Sequence, residues 1–92
     1  MNNNRRKQIT KALASFEALD LEGKLEDIKS LFEEIRDDEQ EYYDNMPEGL
    51  QGSEKGEKAE AAVSALEEIL DALSEMIEKA QEIPGHCDTA QE

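Results

Sequence analysis

From Ala59 onward, apolar residues fall at Ala59, Ala62, Leu66, Ile69, Leu73, Met76, Ala80 and Ile83, in alternating steps of three and four residues. Such a repeat draws one continuous stripe along an α-helix and is incompatible with a strand, whose side chains alternate with a period of two. A second row, Val63, Leu70 and Ile77, runs beside the first. The apolar face is therefore wider than a two-stranded seam needs, and this helix should touch more than one neighbour. Upstream, Leu25, Ile28, Phe32, Ile35, Tyr42 and Met46 repeat the spacing, with Glu39 interrupting it. The two stretches, about 24–45 and 54–82, are expected to pair as antiparallel helices.

The connection between them, within the stretch DDEQEYYDNMPEGLQGSEKGE from Asp37 to Glu57, reads first as a hinge. Pro47 disfavours helix at Met46, Gly49 and Gly52 permit tight turns, and Ser53 can cap the next helix through its hydroxyl. The glutamate of a standard capping box is expected three residues after Ser53 but stands one place late, at Glu57. Leu50, the one apolar residue of the loop, is expected to fold back onto the helix ends.

Residues about 4–20 carry a shorter stripe, Ile9, Leu13 and Phe16. The next seam position is Asp20, and Leu21 restarts the pattern one residue late, close to Gly23. Two arrangements fit. The chain folds back near Asp20 to Gly23 as a third helix, or one helix of roughly 60 Å runs through to Asn45 beside a partner of about 43 Å. In the second case Ile9, Leu13 and Phe16 stay uncovered unless another chain meets them. The expected fold is thus all-α, an antiparallel hairpin or coiled coil with a three-helix bundle as the alternative. Residues 1–83 form one domain, and a polar tail at 84–92, beyond Pro84 and Gly85, is expected to be disordered.

Ninety-two residues bury little surface alone, so dimerisation is expected in either arrangement. Ile9, Leu13 and Phe16, together with Val63, Leu70 and Ile77, are the candidate self-association residues. A single Cys87 makes no internal disulfide, no apolar run approaches a membrane span, and no export signal is evident, which reads as a cytoplasmic chain.

The net charge is −14 and unevenly spread. Arg5, Arg6, Lys7 and Lys11 precede the first acid, Glu17; from there acids dominate. Such a surface repels nucleic acid and anionic membranes and attracts basic protein partners with a salt-dependent rate. Along 24–45, acids recur at Glu26, Glu33, Asp37 and Asp44 on one outward strip, with Asp27, Glu34, Asp38 and Glu41 beside it. Like charges at i,i+4, such as Glu33 with Asp37, each cost a few tenths of a kcal/mol in helix stability. They read either as a solvated face or as phosphate surrogates. Between Lys24 and Glu82 the hairpin carries about −13 over roughly 43 Å, one charge per about 3.3 Å, against one per about 1.7 Å of duplex DNA.

Chemistry of a catalytic kind finds no foothold. His86-Cys87-Asp88 offers metal-ligand side-chain types, but structural zinc needs four ligands around the ion. An inward Glu-x-x-His pair for a bundle metal centre, the calcium-loop pattern and a glycine-rich phosphate loop are all missing. No nucleophile stands with a base. The chain is therefore expected to be non-enzymatic, without cofactor or metal, and to act by binding protein. Tyr42 fits the seam, while Tyr43, about 100° round the helix, points partly outward and with Leu50 makes a candidate anchor.

The segment IRDDEQEYYDNMPEGLQGSEKGEKAEAAVSALEEI, Ile35 to Ile69, resembles a family of small, mostly uncharacterised proteins encoded by bacteriophages and prophages. The shared features are an acidic helix, a Tyr-Asp-Asn-Met-Pro-Glu turn, a Gln-x-Ser-Glu-x-Gly-Glu restart and an Ala/Leu/Glu helix. The resemblance implies a phage accessory protein built on a helical hairpin and supplies no catalytic residue. The functional expectation is a phage-encoded, DNA-mimicking inhibitor of a host nuclease or defence protein, binding through Glu26, Glu33, Glu34, Asp37, Asp38, Glu41, Tyr43, Asp44 and Leu50. The rival is a coiled-coil adaptor or assembly protein whose acids only keep it in solution.

Overall fold

The computed structural model describes all 92 residues and is helical throughout, with α1 at Asn3–Ala18, α2 at Leu21–Asp44, a single turn α3 at Glu48–Gln51 and α4 at Glu54–Ala90. α1 and α2 form one long bent arm that runs antiparallel to α4, so the molecule is an elongated hairpin of 69 × 18 × 14 Å. Its radius of gyration is 20.7 Å, whereas a compact chain of this length would have about 12 Å. No helix is long and apolar enough to cross a membrane.

The bend is one residue. Asp20 adopts the left-handed conformation, φ 49° and ψ 46°, which aspartate tolerates better than most residues. Its carbonyl still accepts from the Lys24 N–H at 3.1 Å, and its own N–H donates to the Glu17 carbonyl, so the helical path resumes at once. This single residue absorbs the late restart at Leu21. α1 neither folds back as a separate third helix nor continues unbroken.

α4 is longer than its sequence pattern suggests. Residues 84–92, expected as a disordered tail, continue the helix through Pro84 to Ala90. Proline removes one N–H from the ladder, at a typical interior cost of about 3 kcal/mol, and tertiary contacts offset it. Pro84, Cys87 and Gln91 are half-buried at steps that extend the seam, and α1 lies against this end of α4. The Arg6 guanidinium donates to the Gln91 carbonyl at 2.8 Å and to the Glu92 carbonyl at 3.4 Å. A cation there satisfies carbonyls that the helix end leaves unpaired and opposes the negative pole of its dipole. Ile9, Leu13 and Phe16 are consequently half-buried within the chain, so they are not the open self-association stripe that a shorter α4 would leave.

The seam itself differs from the expected one by half a register. On α4 the buried side chains are Ala59, Val63, Leu70, Leu73, Ile77 and Ala80, with Leu66 half-buried between them. Val63, Leu70 and Ile77 are therefore core residues of the hairpin, not a surface for self-association. Ile69, Met76 and Ile83 are exposed at 38%, 50% and 37%. Along α2 and just past its end, Leu25, Lys29, Phe32, Arg36, Glu39, Tyr43 and Met46 are buried or half-buried in a 4-3 repeat with charged residues in it, and Glu33 is half-buried beside it. Leu25 packs with Leu73 and Ile77, flanked by Leu21 and Phe32.

At the loop end Ser53 caps α4, its hydroxyl accepting from the Gly56 N–H and donating to the Leu50 carbonyl. A side chain at position 56 would place its Cβ 2.1 Å from the Gln51 carbonyl oxygen. That approach is why the capping-box glutamate cannot stand three residues after Ser53: the α3 backbone occupies the space.

Candidate protein-binding surface

The 24 acids are held by the hairpin with little compensation. Only three ion pairs form, all local: Arg36–Asp37 at 3.0 Å, Lys58–Glu54 at 3.2 Å and Lys79–Glu82 at 3.6 Å. On α2, Glu26, Asp27, Glu34, Asp37, Asp38, Glu41 and Asp44 are exposed along the solvent side of one continuous helix, while Glu33 is half-buried toward α4. Of these, only Asp37 has a basic partner; Asp44 accepts from the Gln40 amide at 2.9 Å. From Glu26 to Asp44 nine acids stand against Lys29 and Arg36. The resulting spacing is about one net charge per 4 Å of helix, close to the 3.4 Å per charge of a single DNA strand.

The tyrosines exchange their expected places. Tyr43 is half-buried on the flank facing α4, beside Gln40, Glu60 and Val63. Loss of solvent there, then the negative charges of Glu60 and Asp44, push its phenol above the ordinary value of 10.0. Tyr43 is thus a seam residue and not an outward anchor. Tyr42 is the exposed ring, at 45%, with the Lys55 ammonium 5.9 Å from its centroid. It shares a shallow cleft with Met46, Pro47 and Leu50. Leu50 remains 47% exposed there, so the loop presents an apolar tip instead of burying it.

The residues named from sequence therefore separate into an acidic row that the helix does assemble, a loop tip at Leu50 next to an unforeseen Tyr42, and core positions. No three carboxylate, imidazole or thiol groups converge on a point where a metal ion could sit. His86 and Cys87 lie on the last turns of α4, where Cys87 is a half-buried free thiol against the α1 end of the hairpin.

Neither a protein-family model, nor a curated protein, nor a solved structure matches this chain.

Proposed function

We propose that the chain is a non-enzymatic, phage-encoded protein-binding module that offers the carboxylates of α2 as phosphate surrogates to the DNA-binding groove of a host nuclease or defence protein. The supporting observation is the row itself: exposed Glu26, Asp27, Glu34, Asp38 and Glu41 without a counterion within ion-pair distance, on a helix stiffened by α4. A rigid array of charges loses little conformational freedom on docking, and desolvated basic residues in a groove built for phosphates would be satisfied by carboxylates at similar spacing. Exposed Leu50 at the loop end adds an apolar contact beside the row.

The test is competition. Immobilised protein is exposed to nuclease-treated lysate of the host and eluted with salt from about 0.1 to 0.5 M, over which screening shortens the range of charge attraction. A captured DNA-binding protein should lose its DNA when wild-type chain is added. The triple variant Glu34→Lys, Asp37→Lys, Glu41→Lys should fail to displace it. Equal competition by the variant, or capture only of partners indifferent to salt, sinks the proposal.

A further inference from the structure

Each helix of the hairpin carries two apolar-seam flanks, and α2 and α4 cover only one. On the open side, Leu21, Ile28, Ile35 and Tyr42 recur every seven residues along α2, and Ala62, Ile69, Met76 and Ile83 do so along α4. The two rows lie on the same side of the molecule, since Leu21 lines a groove of about 450 Å³ together with Ala72, Met76 and Ile83. Ile28, Ile35 and Tyr42 are 41%, 51% and 45% exposed, and Leu31 in the adjoining row is 60% exposed. The covered side does not close a core: no side chain in the molecule is fully buried, and the one contiguous cluster is Leu25, Leu73 and Ile77.

We infer that this open flank is where a second copy of the chain docks, completing a four-helix core. Length and period argue for that occupant. The rows run about 32 Å from Leu21 to Tyr42 at an unbroken seven-residue spacing, and another hairpin supplies rows of the same length and period. Across the 18 Å width of the molecule the flank is a footprint of roughly 570 Å². Side-chain relief enlarges it toward the roughly 800 Å² per partner of a standard stable interface.

Charge makes the same choice. Four of the five lysines that follow Asp20, namely Lys24, Lys55, Lys58 and Lys79, border this flank, against the acids Asp38 and Glu75, the latter lining the groove itself. Most of the chain's −14 thus lies off this side, and two copies meeting through any other side would press acid against acid. In the next rows out stand Asp27, Glu34 and Glu41 on α2 and Glu68, Glu75 and Glu82 on α4. Each rim therefore presents both signs to its counterpart, as the flanking positions of paired coiled coils do.

Sedimentation equilibrium of the full chain across a concentration series tests this without reference to any other partner. The wild type should have twice the 10.4 kDa chain mass and a melting temperature that rises with concentration. Ile35→Glu with Met76→Glu alters two half-exposed positions, so the hairpin keeps its helicity while association weakens at least about 100-fold. Should that pair unfold the chain, Leu31→Ser at the most exposed position is read the same way and should also weaken association. A monomeric wild type, a melting temperature independent of concentration, or a folded Ile35→Glu/Met76→Glu variant of unchanged mass overturns the inference; a different protein seated on this flank of a monomer does so as well.

Discussion

The two flanks of the hairpin are both built from seven-residue rows on α2 and α4, yet one is covered and the other is open. On the covered flank α4 contributes Val63, Leu70 and Ile77, all buried, and α2 contributes Lys29, Arg36 and Tyr43, all half-buried. On the open flank both helices contribute apolar residues, Ile28 and Ile35 against Ile69 and Met76, and all four are exposed. Long side chains with a polar end can lay their methylenes or ring over a neighbour and keep the charge or hydroxyl wet. The hairpin thus uses amphipathic residues to seal its covered side and leaves its purely apolar rows on the open one.

The contrast breaks most visibly at adjacent residues on α4. Leu70→Ala removes a buried side chain, 6% exposed, and should cost about 2–5 kcal/mol in urea unfolding at any protein concentration. Ile69→Ala, one position along, should cost less than about 1 kcal/mol in dilute solution, with a larger penalty appearing only as concentration rises. Equal, concentration-independent losses at both sites would mean that the flanks are not different.

Which flank is covered depends on the rotation of α4 about its axis, and the turn sets that rotation. Gly56→Ala would drive a methyl group into the Gln51 carbonyl, so either α3 moves away from α4 or α4 turns. A loss of about 1–3 kcal/mol is expected, with weaker hydrogen-exchange protection at Leu50 to Lys58. A stable, unshifted variant would show that the helices choose their flank without help from the turn.

Much of this architecture is legible in the spacing alone. Leu25, Phe32 and Met46 on α2 and Ala59, Leu73 and Ala80 on α4 belong to either possible seam, so the hairpin, its antiparallel sense and the Ser53 start follow from the heptads. The late restart at Leu21 likewise foreshadows the one-residue bend at Asp20. The flank is not legible, because a pattern of apolar residues favours Ile28 and Ile35 over Lys29 and Arg36, whereas packing accepts the latter through their methylenes. Tyr42 and Tyr43 exchanged places for that reason. The helical end of α4 was hidden by Pro84 and Gly85, whose local cost is met by Arg6 and the α1 stripe at the other end of the sequence. The acidic row was readable apart from Glu33, which is half-buried toward α4, since exposure is the default for unpaired carboxylates.

The finest distinction between the flanks is in Tyr43. Its phenol titrates above 10.0 because the covered flank keeps water away and sets Glu60 and Asp44 beside it. A folded-state value raised above the unfolded one means that, past the ordinary phenol range, the unfolded chain binds fewer protons than the native chain. Stability then falls with rising pH. Tyr43's contribution is fully present below pH 10 and is lost as pH climbs through its folded value. Tyr43→Phe removes the titrating group and keeps the ring on the seam, so the variant's stability should decline less steeply above pH 10 than the wild type's in matched urea titrations. Phenolate absorbance followed on the folded protein should lose its late component in the same variant. Parallel declines, with the remaining phenol titrating at the same midpoint as the wild type's pair, would place the Tyr43 ring in open water, and with it the flank that Val63, Leu70 and Ile77 are said to share.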